Sequence, residues 1–429
     1  MAEASLRIAL DYGSEGLVVE LPRERTTVLE PLYPPALEDP RAALRDALRA
    51  PAGLVKPLRE LVRGADRVAI SVCDGTRPQP RELMLRAILD EMPTVDRENI
   101  VLLIATGTHR ANTAEELVGM LGSEIAGGFR IVNHDARDPD GLCYCGETST
   151  GVPIWLNRHW VEADFRITTG FVEPHLFAGF SGGPKLVAPG LAGLDTTMEL
   201  HDAGRIGHSS ATWGITHGNP VHDDVREIAI KTGVSFGLDV TLNANKEITG
   251  VFAGEVLDEH RLACEASMRE AMRAIDSPFD VVVTTNSGFP LDQNLYQAVK
   301  GISAAAQAVK DGGVIICAAE CRDGLPDHGP YAGILEQGTS PTRLLELIRR
   351  PGFAIADQWQ VQVQALVQAR ARVMVKSDYL SADQLRRAHF EAVEDLAATA
   401  AEALDASGPR ARLCVLPRGP QAIPYLVRR

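Results

Sequence analysis

No stretch of this 429-residue sequence is apolar for long enough to cross a bilayer. Its longest runs, Val101-Leu102-Leu103-Ile104-Ala105 and Val314-Ile315-Ile316-Cys317-Ala318-Ala319, fall well short of the ~18 residues a span needs. Positive charge is also in deficit: 43 Lys and Arg stand against 57 Asp and Glu, a formal net charge of −14, and no basic block occurs. The chain therefore lacks the footprint of a nucleic-acid or anionic-membrane binder, and an anionic ligand must be held by a few local cations. The opening residues, Met1 to Arg7, form neither a basic n-region nor an apolar h-region, so a cytoplasmic protein is expected. Cysteine is sparse, odd in number and scattered: the seven are Cys73, Cys143, Cys145, Cys264, Cys317, Cys321 and Cys414. That pattern fits reduced thiols. Neither Cys143/Cys145 nor Cys317/Cys321 has a second pair at zinc spacing, which argues against a cysteine metal site.

What is present describes a globular protein, 45% hydrophobic and 23% charged, of a length that predicts two large domains and a cleft between them. A hairpin is expected from Arg7–Tyr12 and Gly16–Leu21 across a glycine-serine turn. Strand-like runs then alternate with helix-like ones: Arg67–Cys73 and Pro80–Glu91, Ile100–Ala105 and Thr113–Leu121, then Arg130–Val132. Such alternation predicts an α/β fold with a mostly parallel sheet flanked by helices. Gly141–Thr169 reads as a β excursion, Val234–Glu255 as a hairpin around Asn243–Lys246, and Leu257–Ile275 as one long helix. A boundary placed there divides the chain into residues 1–276 and 277–429. The second part repeats the pattern with Phe279–Thr285, Asp292–Lys310, Val314–Ala319, Thr342–Arg350, Arg372–Lys376, Ala382–Phe390, Ala392–Leu404 and Arg412–Leu416.

In open α/β sheets ligands bind beyond the carboxyl ends of strands, so the turns after each strand were read for chemistry. Asp74-Gly75-Thr76-Arg77-Pro78 offers a rigid arginine fork for a carboxylate or phosphate, or else an ordinary strand-to-helix turn. Thr106-Gly107-Thr108-His109-Arg110 combines a glycine, two hydroxyls and a histidine; alone, such a histidine is more often structural. Glu173-Pro174-His175 through Gly179-Phe180-Ser181-Gly182-Gly183-Pro184-Lys185 superficially resembles a phosphate loop. It fails that test, since Pro184 separates the glycines from the lysine and Leu186 stands where Ser or Thr is required. A lysine on so constrained a loop is instead well placed for covalent attachment to a cofactor, the plainer reading being a tight turn with a solvated lysine. Downstream, His201, His208, His217 and His222 match no zinc signature, and Asp223 with Asp224 are expected to cap a helix at Val225. In the second part Gln297 and Lys300, and Tyr296 and Lys300, share a helix face. That face is a ligand surface or simply a solvated one.

Taken in order, Asp74 to Pro78, Gly107 to Arg110, Asn133-His134-Asp135, Glu173 through Lys185, His201 and Tyr296-Gln297-x-x-Lys300 resemble the lactate racemase family, over nearly the whole chain. The resemblance implies a nickel-pincer nucleotide, a pyridinium-3,5-bisthiocarboxylate mononucleotide that carries nickel between two sulfurs and a carbon. It implies that Lys185 anchors this cofactor covalently, that His201 completes nickel coordination, and that His109 and His175 are the acid/base pair. Arg77, Gln297 and Lys300 then bind substrate with Tyr296 and Trp359 beside them, while Asp74, Thr108, Ser181, Gly182 and Gly183 are candidates for cofactor contacts. The implied partners are a 2-hydroxy acid and, transiently, the proteins that make the cofactor.

The chemistry accounts for these residue types independently. Inverting C2 of a 2-hydroxy acid through a planar 2-keto acid requires hydride to leave, and no side chain accepts hydride, so a cofactor must. The hydroxyl must lose its proton at the same time, which suits histidine. The two enantiomers present their hydroxyls to opposite sides, so two histidines are needed. Two other classes remain at this point: a carrier of the nickel nucleotide, which would not need an acid/base pair, and a zinc-dependent hydrolase built on the histidines after Leu200.

Overall fold

The computed structural model describes residues 4–326 and 329–427. The chain forms two compact units, one comprising Tyr33–His201 and Ser210–Glu270, the other Met1–Leu32, Asp202–Ser209 and Ala271–Arg429. The first is built on a six-stranded sheet in the order Ile248–Gly254, Phe236–Leu242, Phe165–Phe171, Val68–Cys73, Ile100–Ala105, Arg130–Asn133. Every neighbouring pair is parallel except the first, the hairpin around Asn243–Lys246. Val68–Cys73 is buried throughout because both faces are covered. Val68, Ile70 and Val72 pack with Met84, Leu85 and Ile88 of the helix Arg81–Asp90. Ala69 and Leu103 face a second core of Ile154, Leu156, Trp160, Val187, Leu191 and Ile228. With both faces occupied, the turns that leave the carboxyl ends of the strands are what the sheet can offer a ligand.

The second unit holds a six-stranded, all-parallel sheet in the order Glu391–Val393, Arg372–Lys376, Val309–Ala318, Phe279–Thr285, Leu413–Leu416, Thr26–Val28. Its last strand comes from the beginning of the chain. The hairpin Ser5–Leu10/Leu17–Pro22 also buries Ile8, Leu10, Val19 and Leu21 in that core, against Val281, Val283 and Leu413. The compact units thus follow a different partition from a single cut after residue 276: residues up to Leu32 group with the later strands because their apolar side chains are buried there.

Three local expectations are corrected. The helix read as Leu257–Ile275 is Val256–Ala271, after which Met272–Ile275 turns into a strand parallel to Ile423–Leu426. Glu391–Val393 is an edge strand, and the helix read from Ala392 begins at Leu396, where the Asp395 carboxylate accepts from Ala398 N–H. Asp223 and Asp224 lie inside the helix Pro220–Thr232, which is capped by Asn219, whose side-chain oxygen accepts from Val221 and His222 N–H. Among the described residues, no helix is long and apolar enough to cross a membrane.

Candidate active site

Three adjacent parallel strands, Ile100–Ala105, Val68–Cys73 and Phe165–Phe171, deliver the turns that carry the candidate residues. His109 and Asp74 meet across two of them, with His109 Nδ1 donating to Asp74 Oδ2 at 2.8 Å. The Asp74 side chain is only 6% exposed, while that of His109 is 56% exposed. Burial would raise the Asp74 pKa, but hydrogen bonds from His109 and Thr76, with the charge of Arg77, outweigh it and hold the carboxyl below its ordinary 3.8. An ionised Asp74 therefore fixes the His109 proton on Nδ1 and leaves Nε2 as the acceptor nitrogen of the ring. Thr108 lies in the same turn, and its carbonyl accepts from Arg137.

Arg77 points to Glu173, Nη1 to Oε1 at 3.4 Å, linking the first turn to the third. The turn that carries Arg77 is held by Arg81, a residue the sequence reading passed over. Arg81 is buried and donates to the carbonyls of Cys73, Asp74, Arg77 and Gln79. The available signal was an arginine in the first turn of a helix that follows two prolines. His134 is structural: its Nε2 donates to the Ala192 carbonyl at 2.9 Å, and Nδ1 lies 3.2 Å from Asn157 Nδ2. Arg110 is engaged by Glu116 at 2.6 and 2.8 Å, and Arg205 by Asp202.

The third turn gathers the remaining candidates of this unit around one ring. Phe177 stands edge-on to His175 at 4.6 Å and to His201 at 5.2 Å, and Lys185 Nζ lies 5.8 Å from its centroid. Phe177 is the central residue that sequence reasoning did not identify; its aromatic character inside the motif was the only signal. His201 ends the helix Leu194–Leu200, and its Nδ1 donates to the Thr197 carbonyl at 2.7 Å, which makes Nε2 the nitrogen able to ligate a metal. Ala178 N–H donates to His175 Nδ1 at 3.3 Å, which makes Nδ1 the acceptor nitrogen of that ring.

Lys185 sits in a single 3-10 turn, Gly183–Leu186, entered through Gly182 at φ 78°. A Cβ on Gly183, whose φ is 49°, would lie 2.5 Å from the ring of His260. Only glycine permits that backbone on that support. Ser181 stitches the loop to its strand: its hydroxyl donates to the Phe171 carbonyl and accepts from Glu173 N–H, both at 2.9 Å. The Gly183 N–H is engaged by Asp239 at 2.7 Å.

His260 donates from Nε2 to the Ser181 carbonyl at 2.8 Å and stacks on His222 at 5.7 Å. Burial pushes its pKa down from 6.5 to about 4. Between those values the unfolded chain takes up a proton that the folded ring refuses, so this contribution to stability is lost as pH falls from about 6.5 to 4. At ~1.4 kcal/mol per pH unit the full span is about 3.5 kcal/mol. His260→Gln, which keeps a side-chain N–H donor, is expected to shrink the fall in melting temperature between pH 7 and pH 4. Parallel wild-type and variant curves would contradict a neutral buried His260.

In the other unit, Tyr296, Gln297 and Lys300 lie on the helix Leu295–Ala305, capped by Asn294, whose side chain accepts from Gln297 N–H at 3.0 Å. All three are half-buried. Tyr296 packs edge-on to Tyr331 at 5.3 Å, and Asp357 and Trp359 lie close to its hydroxyl. Gln360 donates to the Tyr296 carbonyl at 2.6 Å, fixing the start of the helix.

Among the described residues, no three of His, Cys, Asp and Glu come together to hold a metal. Of the histidines after Leu200, His208 and His217 are exposed, and His222 donates to the Ala178 carbonyl. A metal already carried by an organic ligand needs only one protein donor, and the residues present fit that case. His201 would supply the nitrogen, and Lys185, against the same ring of Phe177, would supply an amine.

The chain is matched by the family model for the lactate racemase N-terminal domain over residues 12–214 and by that for the lactate racemase C-terminal domain over residues 274–423. It is 34% identical over 396 residues to a lactate racemase of Thermoanaerobacterium thermosaccharolyticum, covering 91% of this chain and 92% of that protein. It is 35% identical over 365 residues to a lactate racemase of Lactiplantibacillus plantarum, covering 84% and 86%. Its fold superposes on the lactate racemase apoprotein of T. thermosaccharolyticum with a TM-score of 0.90 at 31% identity, covering 98% of this chain and all of the other. A Thermotoga maritima protein shares the fold, with a TM-score of 0.68 at 19% identity over 92% of this chain.

Proposed function

The chain belongs to the lactate racemase family and is an isomerase, and on that premise we propose that it inverts C2 of a 2-hydroxy acid through a 2-keto acid. The observation that carries this reading is the convergence of His175, Lys185 and His201 on Phe177, in the unit that also holds the Asp74–His109 pair. When bound, a nickel-pincer nucleotide supplies the acceptor that takes the C2 hydrogen with its electron pair and gives it back, which no side chain can do. Lys185 is assigned to hold that nucleotide covalently and His201 to ligate its nickel through Nε2, with Thr108, Ser181, Gly182 and Gly183 as further cofactor contacts. Asp74, first read as a cofactor contact, is better supported as the residue that orients His109.

His109 then accepts the hydroxyl proton of one enantiomer at Nε2 while Asp74 stabilises the imidazolium that forms. His175 exchanges the proton of the other enantiomer, so that when the planar keto acid has turned its opposite face to the returning hydride, the hydroxyl can be completed from that side. Arg77 binds the substrate carboxylate as a fork, and Lys300 with Gln297, flanked by Tyr296 and Trp359, are assigned as substrate-binding residues. An acid/base dyad of this kind favours an enzyme over a carrier, because storage of a nucleotide requires no ionised Asp74 behind a histidine. The test is a panel of 2-hydroxy acids, offered as single enantiomers to the chain loaded with cofactor by its biosynthesis proteins. Inversion of at least one is expected. Loaded, nickel-containing protein that inverts none across aliphatic, aromatic and dicarboxylic members would overturn the proposal.

A further inference from the structure

Beneath the Lys185 turn lies a pair of carboxyls that the chemistry above does not use. Asp239, in the strand Phe236–Leu242, is fully buried, and its Oδ2 accepts the 2.7 Å hydrogen bond from Gly183 N–H. The fit is close on both sides: a Cβ at Gly182 would lie 2.6 Å from Asp239 Oδ2, and one at Gly170 2.7 Å from Oδ1. Two residues earlier, on the same face of the strand, Gly237 leaves room for Glu259 of the helix Val256–Ala271, whose Oε1 would lie 2.5 Å from a Cβ there. Glu259 is also fully buried. Asp239 Oδ1 faces the Gly170 backbone, and both carboxyl oxygens of Glu259 have no hydrogen-bond partner among the described residues.

Two carboxyls buried side by side are a costly way to fill a core, since apolar side chains of similar volume would avoid the desolvation penalty. Burial accordingly pushes the Asp239 pKa up to about 7 and that of Glu259 well above its ordinary range. What the pair gains is an acceptor that ties the Gly183 N–H to the sheet beside Gly170. The next residue on the helix, His260, takes the Ser181 carbonyl and underlies Gly183, so strand and helix together grip the residues immediately before Pro184 and Lys185. Pro184 transmits that grip, because its ring leaves little freedom between the held glycine and the lysine.

We propose that Asp239, backed by Glu259, is the positioning residue for Lys185: its carboxyl oxygen fixes the Gly182–Gly183 backbone so that the amine is presented beside Phe177 ready for covalent attachment. The inference rests on the reading of Lys185 as the tether, but it concerns the loop of the chain before any cofactor arrives.

The experiment therefore uses the full chain without cofactor. Asp239→Asn keeps an acceptor oxygen toward Gly183, whereas Asp239→Leu keeps the branching, with bulkier methyls, and has none, so that Asp239→Ser, smaller than either, is measured beside it. Hydrogen exchange by mass spectrometry is read in peptides spanning residues 176–190. In parallel, the rate at which N-hydroxysuccinimidyl acetate acylates Lys185 is measured against exposed Lys246 in the same sample. Asp239→Leu is expected to speed exchange in the loop at least tenfold and to change relative Lys185 acylation at least threefold, with Asp239→Asn within twofold of wild type in both. If Asp239→Leu fails to fold, Asp239→Ser, which shortens the side chain out of reach of Gly183, carries the same expectation. A folded Leu or Ser variant with wild-type exchange and acylation would overturn the proposal, as would an Asn variant as loose as the Leu variant. Because neither readout involves the nucleotide, a loop that loosens as expected in a protein that never retains cofactor would overturn only the tether.

Discussion

Alanine at Lys185 is expected to leave the protein without retained cofactor and without activity, a loss on the order of 10³-fold or more, because the group that accepts the C2 hydrogen is no longer held. The intact mass of chain produced together with the cofactor-forming proteins should equal that of the bare polypeptide. Lys185→Arg separates covalent attachment from charge. It preserves the cation beside Phe177, 5.8 Å from the ring in the wild type, yet a guanidinium stays protonated and is no nucleophile. The arginine variant should therefore fail as completely as the alanine variant. A covalent adduct surviving in either, or full activity in the arginine variant, would refute Lys185 as the anchor.

The second large effect concerns the two histidines. His109→Gln and His175→Gln should each slow interconversion by about 10²–10⁴-fold, the usual range for loss of general acid–base catalysis. Because enantiomers are equal in free energy, the equilibrium constant is one, and kcat/KM must fall by the same factor in both directions. The half-reactions need not be equal. In a single turnover of loaded enzyme, each variant should still form 2-keto acid from one enantiomer and not from the other, and the two variants should choose opposite enantiomers. Identical preferences would show that the histidines do not divide the hydroxyl proton between two sides. Asp74→Asn should fall in the same range as His109→Gln, since an amide facing Nδ1 can hold the ring in the wrong tautomer.

Much of this was legible in the sequence because parallel strands announce themselves as short apolar runs, and the turn after each run is where a ligand can be reached. Val68–Cys73 and Ile100–Ala105 were read at or within a residue of their bounds, and with them the positions of Asp74, Arg77 and His109. The resemblance supplied roles; the structure supplied neighbours. Phe177, Arg81, Asp239 and Glu259 escaped because their importance lies in contacts between distant segments. A buried arginine that serves four carbonyls has the same one-dimensional signature as a solvated one.

The helix Gln358–Gln368 escaped for another reason. Its sequence, QWQVQVQALVQ, alternates with the period of a strand, yet it is a helix buried almost throughout. It is stable because its glutamines find backbone partners: Gln360 donates to Tyr296, Gln362 to Ala203 and Gln364 to Ala388. Glutamines that bond to the backbone of other segments leave no apolar stripe to read. The start of the chain was hidden similarly, since nothing local indicates that Thr26–Val28 will pair with Leu413–Leu416.

The central claim is that the C2 hydrogen leaves and returns as a unit while only the hydroxyl proton passes through His109 and His175. It is tested most directly by following inversion of a single enantiomer deuterated at C2, in ordinary water, by the cofactor-loaded chain. The account expects the inverted product to keep its deuterium, with solvent hydrogen absent from C2 even after many turnovers. Product carrying hydrogen from water at C2 would mean that a side chain removes that position as a proton, and would contradict the account.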